Sequence, residues 1–306
     1  MPLDTRIQLS KLEIYCRVVE LRSVSRAADE LFISQPVVSS HLRTLQDRIG
    51  AKLLYREGHS MLPTEAGRLA YEWAKDVLTR SQEMSRRMEG LADGSAGHAA
   101  LAASMTVGSY MLPPILTRFR ADRPGAQIGV DMFDPEHVVA AVESGEYDVG
   151  VLIANERSLE ANLVFENVGD EEFLLVARAD SKLPDEISSR GLAKLDLVGS
   201  PHDRAREHML DQLLRAAAIE RGPNTIELGH AEAMKRAVKE GDGVAFLFRA
   251  SIEEDLRRGE LRRIGISGVD RLAAPIYLTY RKGKDFSPMQ AALVAAMRDA
   301  LARPAG

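Results

Sequence analysis

Residues 23–47, SVSRAADELFISQPVVSSHLRTLQD, constrain this chain more than any other stretch. They read as two short helices parted by a tight turn. In the first, Ala27, Ala28 and Leu31 lie at i, i+1 and i+4 and make a packing face, leaving Arg26, Asp29 and Glu30 to water. Phe32, Ile33 and Ser34 break that period. Ser34 is a good N-cap, and Pro36 falls just inside the second helix, where a missing N–H costs nothing. Val37, Val38, Leu42 and Leu45 then supply a buried face. Gln35, Ser39, Ser40, His41 and Arg43 point elsewhere, and such side chains suit base edges and phosphates. A helix-turn-helix that lays its second helix in a major groove has this arrangement. An ordinary helical hairpin with a solvated face is the alternative.

The flanking residues favour the first reading. Residues 9–21, LSKLEIYCRVVEL, form an amphipathic helix laid against the motif. Gly50 ends the second helix, and 52–56 and 61–62 make two short extended runs around Glu57, Gly58, His59 and Ser60, the pattern of a wing. Thr64 caps a long helix to about residue 91, with Glu65 in its first turn. Ala66, Ala70, Trp73, Val77, Met84, Met88 and Leu91 recur along it at spacings of three and four. Such a helix spans roughly 40 Å, too long and one-sided for a small module to cover. A seam with a second copy is the expected partner, and packing onto the rest of its own chain is the alternative.

Charge supports this division. Residues 1–90 carry 14 Lys/Arg against 12 Asp/Glu, whereas the remainder carries 26 against 33, giving the overall −5. The stretch 22–56 holds a modest basic excess in Arg22, Arg26, Arg43, Arg48, Lys52 and Arg56. Phosphate neutralisation dominates DNA affinity, so one copy should bind weakly and two copies better. The single cysteine, Cys16, excludes an internal disulfide framework and a multi-cysteine zinc site, and its place in the first helix makes it a core thiol. No run resembles a secretory signal or a transmembrane span, so a cytoplasmic location with no membrane partner is expected.

Residues 92–98, ADGSAGH, read as a small-residue linker. Beyond them strands alternate with helices. Strands are expected near 100–104, 127–132, 148–153, 173–177, 196–199, 225–228, 244–247 and 274–280. Helices are expected at 110–120, 137–143, 204–218, 231–240, 252–258 and 289–301. This alternation predicts mainly parallel sheets, with ligands at strand C-termini facing helix N-termini.

The segment SVSRAADELFISQPVVSSHLRTLQDRIGAKLLYREGHSMLPTEAG, and more loosely LGHAEAMKRAVKEGDGVAFL at 228–247, resemble the LysR-type transcriptional regulators. The resemblance implies an α+β multi-domain fold. Its parts are a winged helix-turn-helix (1–63), a dimerising linker helix (64–92) and an effector-binding domain (93–306) like a type 2 periplasmic binding protein. That domain would have two lobes, about 99–163 with 270–302 and about 168–265, joined by crossovers near 162–170 and 264–272. It implies a homotetramer on double-stranded promoter DNA, a dimer of dimers, switched by a small-molecule effector in the cleft between lobes. No cofactor or metal is expected, and RNA polymerase is a further candidate partner.

Carried over position by position, Ser34, Gln35, Pro36, Ser39 and Ser40 begin the recognition helix, Arg43 and Arg26 face the DNA backbone, and His41, Arg56 and His59 complete the set. Ser40 and His41 stand where many members have Arg and Gln. His59 stands where an arginine is usual, and Glu57 opposes phosphate. In the effector domain Ser104, Met105 and Thr106 are expected to hold the ligand, since in the family this segment grips the effector's carboxylate. Helix capping by Thr106 or Ser109 is the alternative there. Phe133, Asp134, Pro201, His202 and His230 complete the candidate cleft. Asp134 could instead cap a helix, and so could His230. No phosphate loop, GxSxG, HExxH or adjacent Cys/His pair supports an enzyme. A cytoplasmic solute-binding protein would lack the N-terminal module, and a regulator without an effector remains the nearer alternative.

Overall fold

A computed structural model of the chain describes residues 7–92, 97–154, 162–201, 209–220, 222–241 and 243–302. They form two compact units, one N-terminal and one built from the bulk of the chain after residue 97.

The N-terminal unit runs α1 (Leu9–Leu21), α2 (Val24–Glu30), α3 (Gln35–Ile49), β1 (Leu54–Glu57), β2 (Ser60–Pro63) and α4 (Glu65–Ala92). Its core joins Leu12, Tyr15 and Val18 of α1 to Ala27 and Ala28, to Val38, Leu42 and Leu45, and to Ala70 and Ala74 of α4. Each large apolar side chain so buried stabilises by roughly 1.5–3 kcal/mol. Two expectations for α3 need correction. Ser34 sits at the N-cap with extended backbone, yet its side chain makes no capping hydrogen bond. Val37 is 40% exposed, because it lies about 100° around the helix from the stripe of Val38, Leu42 and Leu45. Gly50 ends α3 at φ 74°, the left-handed conformation that glycine adopts without strain. β1 and β2 pair antiparallel around Gly58 and His59, and Met61 N–H donates to Arg22 O at 2.9 Å, fastening the hairpin to the end of α1.

Thr64 Oγ1 accepts the Gly67 N–H at 2.9 Å and starts α4 as expected. Gly67 allows a close crossing: a Cβ there would lie 2.0 Å from Leu53 O, and its own carbonyl accepts the Tyr15 hydroxyl at 2.6 Å. That docking revises the seam. Ala66, Ala70 and Val77 face the unit's own core, while Leu69, Trp73, Met84 and Met88 are exposed; the Leu91 side chain lies outside the described residues.

The C-terminal unit runs β3 (His98–Ser104), a π-helical turn (Val107–Met111), α5 (Leu112–Asp122), β4 (Gln127–Phe133), α6 (Pro135–Ser144), β5 (Val149–Ile153) and β6 (Leu163–Arg178). Then come β7 (Glu186–Ile187), α7 (Ser189–Leu192), β8 (Leu197–Gly199), α8 (Met209–Ala216), β9 (Asn224–Glu227), α9 (Ala231–Glu240), β10 (Ala245–Phe248), α10 (Arg249–Arg257), β11 (Leu261–Ile266), β12 (Ala273–Arg281) and α11 (Pro288–Leu301).

The main sheet has the order β4-β3-β5-β12-β6-β11-β7, with β10 also on β6. It is mixed rather than mainly parallel. β3 pairs parallel with β4 and β5, but β12 is antiparallel to β5 and β6, and β6 is antiparallel to β10 and β11. The reason is β6. This single long strand covers both the expected crossover at 162–170 and the strand after it, and its neighbours return from distant sequence. Two groups of apolar clusters flank it. One gathers Leu101, Val151, Leu278, Leu293 and Met297, with Val138 and Leu152 beside it; the other gathers Leu175, Val176, Val198, Leu214, Val238 and Ile252. Among the described residues no helix is long and apolar enough to cross a membrane.

Candidate functional site

The N-terminal unit presents one polar face. Ser34, Gln35, Pro36, Ser39, Ser40 and Arg43 are exposed along α3, opposite Val38, Leu42 and Leu45; His41 is half-buried at the edge. Ser25 Oγ donates to Gln35 Oε1 at 3.3 Å, so the Gln35 carbonyl is oriented and its amide NH₂ is left to donate. Arg26 is exposed on α2. In the hairpin Arg56 spends its Nε on Gly58 O at 3.1 Å, which holds the guanidinium over the turn beside exposed His59 and Glu57. A feature with no sequence signal is Phe32 in the turn before α3. It is 95% exposed at φ 54°.

In the C-terminal unit a cavity of about 540 Å³ opens at the ends of β3, β4, β5 and β8, where the α/β pattern places ligands. Ser104, Met105, Thr106, Phe133, Asp134 and His230 all line it, as do Ser109, Tyr110, Glu136, Phe173, Ser200, Gln212, Asn224 and Phe248. Ser104 is buried and its Oγ accepts the Ile153 N–H at 3.2 Å, leaving the hydroxyl proton to donate. Thr106 begins the π-helical turn but makes no side-chain cap bond, so its hydroxyl stays available. Asp134 is exposed, and its main-chain carbonyl accepts the Val138 N–H in the first turn of α6. His230 caps α9, its Nδ1 accepting the Glu232 N–H at 3.2 Å, and it faces the cavity as well. Pro201 is exposed and does not line the cavity; Ser200 takes that place because the wall ends with β8. His202 lies outside the described residues.

Behind the wall lies a charged network the sequence did not announce. Tyr110 OH, from the π-helical turn, donates to Glu232 Oε1 on α9 at 2.6 Å. Lys235 Nζ reaches Glu232 Oε1 at 2.6 Å, Ser251 O at 2.8 Å and Asp255 Oδ2 at 3.0 Å, and it sits 5.5 Å from the Tyr110 ring centre. Lys239 pairs with Asp255 and Glu260. Burial and the bond to Glu232 push the Tyr110 hydroxyl well above the usual range. Burial raises Asp255, but the hydrogen bonds from Lys239 and Lys235 outweigh it and leave the carboxyl below its ordinary value. The only hint in the sequence was the acid–base spacing of Glu232, Lys235 and Lys239 on one helix; Tyr110 gave none. Among the described residues no cluster of His, Cys, Asp or Glu is placed to hold a metal ion.

The comparisons with known proteins agree with both parts. The sequence model of the bacterial regulatory helix-turn-helix protein, lysR family, matches residues 9–68, and that of the LysR substrate binding domain matches residues 92–302. The RuBisCO operon transcriptional regulator of Allochromatium vinosum is 30% identical over 289 residues, 92% of each chain. Among solved structures, ArgP from Mycobacterium tuberculosis superposes with a TM-score of 0.64 at 20% identity, covering 97% of this chain and 98% of that one. Full-length CbnR bound to its target DNA gives 0.55 at 21% identity, covering 96% and 100%. A helix-turn-helix with its recognition face exposed, a two-lobed domain with a cavity at its strand ends, and two family matches that together span most of the sequence lead to one assignment: this chain belongs to the LysR family and is a transcriptional regulator with a DNA-binding and an effector-binding domain.

Proposed function

We propose that this regulator binds promoter DNA through α3 and the β1–β2 hairpin as a dimer, or a dimer of dimers, joined along α4. A small molecule entering the cavity of the C-terminal unit then changes promoter binding or bending, with RNA polymerase as the downstream partner and the cytoplasm as the setting. The observation that carries this reading is the cavity itself. It is large enough for a metabolite, and the Tyr110–Glu232 hydrogen bond beside it ties the π-helical turn to α9, which supports a link between occupancy and the relation of the lobes. Arg26, Arg43 and Arg56 serve phosphates, while Gln35, Ser39, Ser40 and His41 read base edges. No catalytic step belongs to this reading.

Mobility-shift titrations on the intergenic DNA beside the protein's own gene test the DNA face. Arg43→Ala should weaken binding to all sequences and lower the salt slope by about one unit, whereas Gln35→Ala should relax base preference, costing about 1–3 kcal/mol at one position. Unchanged binding by both variants would refute the assignment of α3. An unbiased metabolite screen by thermal shift tests the cavity, since a ligand that binds only the native state raises its melting temperature.

A further inference from the structure

We propose that the cavity of the C-terminal unit selects an organic ammonium group carried on an apolar body, with Asp134 as its counter-ion. This deepens the effector reading above and rests on it. The charges around the cavity point one way. Asp134 and Glu136 line it, and no Lys or Arg lines it among the described residues. The buried ammonium nearest the wall, Lys235, has its three N–H donors committed to Glu232, Ser251 and Asp255 at 2.6, 2.8 and 3.0 Å. Nothing of it remains for a ligand anion. Lys239 is likewise shared between Asp255 and Glu260, and Arg249 donates through Nε to Glu172 at 2.7 Å. Among the described residues carboxylates thus outnumber cationic groups around the wall, and a concave site of one sign concentrates ions of the other.

Two of the helix N-termini facing the cavity, which would otherwise attract anions, already carry their own acid. Glu136 lies in the first turn of α6 and Glu232 in that of α9. Register places Asp134 well. Ser104 and Phe133 are partners at the ends of β3 and β4, so Asp134 follows directly beside the Met105–Thr106 turn. The rest of the wall suits an apolar body, since Phe133, Phe173, Phe246 and Phe248 all face the cavity. Aromatic faces attract ammonium groups and repel carboxylates. A zwitterion is accommodated too, because the Ser104 and Thr106 hydroxyls remain to donate to its anionic end.

The test is a thermal-shift and calorimetric titration of the purified full-length chain with matched triplets. The probes are leucine, phenylalanine and tryptophan, the amines left by removing their carboxylates, and the acids left by removing their amino groups. Amines or amino acids should raise the melting temperature by about 3 °C or more at ten times Kd, and the matched acids should not. Amines alone would identify a simple ammonium ligand, and amino acids alone a zwitterion. Asp134→Asn, at an exposed position, should keep the wild-type melting temperature and lose at least about tenfold in affinity, or about 1.4 kcal/mol, while Asp134→Glu keeps most of it. Stabilisation by the acids equal to that by the ammonium compounds, or unchanged affinity in Asp134→Asn, overturns the ammonium assignment and leaves the gated-regulator reading standing. No shift from any member at about 10 mM also overturns it, and the unbiased screen then decides separately whether the cavity takes a ligand.

Discussion

Cys16 is buried beside Tyr15 and Val18, and burial together with nearby Glu20 pushes its thiol up to about 12. The reactive thiolate is therefore scarce at neutral pH. A disulfide reagent such as DTNB should label the native protein far more slowly than a free thiol and react fully once denaturant is added; rapid native labelling would contradict this packing. Its burial was readable from the helical period, because an apolar stripe depends on sequence neighbours alone. Lys284 and Asp148 were not readable. They form a buried pair at 2.8 Å, Asp148 also accepting the Ala100 N–H at 2.9 Å, across a separation of 136 residues. Lys284→Met removes the ammonium 2.8 Å from a buried carboxylate, and we expect a loss of up to about 3–5 kcal/mol in chemical denaturation. Ser34 shows the reverse failure. The residue type and backbone suit a cap, but whether a side chain turns to its own helix is decided by its surroundings, and here it stays in solvent beside Gln35.

Elements with a strong local signal appear where the sequence puts them. α1 and α9 have the expected bounds, Leu9–Leu21 and Ala231–Glu240. Strand pairing was the weak point. A run of alternating or apolar residues shows that a strand exists but not which strand lies beside it, so β12 was foreseen while its antiparallel place between β5 and β6 was not. The contact between α9 and α10 makes a prediction at this scale. Asp255 is held below its ordinary value of 3.8 by Lys239 and Lys235 despite the opposing effect of burial. A depressed carboxylate pKa means stability that is complete above the ordinary value and lost as pH falls through the native one. Asp255→Asn should thus be less stable than wild type at pH 7, with the gap closing as pH falls below 3.8. A gap that persists at the lowest pH would show that packing, not charge, is what the substitution removes.

Across the whole molecule the fold class could be read because the two units have different sequence rhythms, and the α3 residues expected to face DNA are exposed apart from half-buried His41. The cavity was only half foreseen. Its strand-end residues Ser104, Thr106, Phe133 and Asp134 follow from topology, whereas Tyr110, Phe173 and Phe248 enter it through contacts between distant segments. Self-association is best probed at this scale. Leu69, Trp73, Met84 and Met88 leave α4 with exposed apolar side chains, and covering such a face would drive the pairing proposed above. Replacing Met84 and Met88 together with Glu should shift the protein toward monomer in analytical ultracentrifugation and weaken DNA binding more than its effect on melting would suggest.

The place of β12 between β5 and β6 has a consequence for synthesis. A ribosome must have made residues 273–281 before that half of the sheet can close, whereas the helix-turn-helix, its hairpin and α4 have all been made by residue 92. At translation speeds of about 5–20 residues per second, the winged unit emerges roughly 10–40 s before the last helix. Each newly made molecule therefore passes through an interval in which it has a folded DNA-reading head and, as yet, no finished ligand cavity.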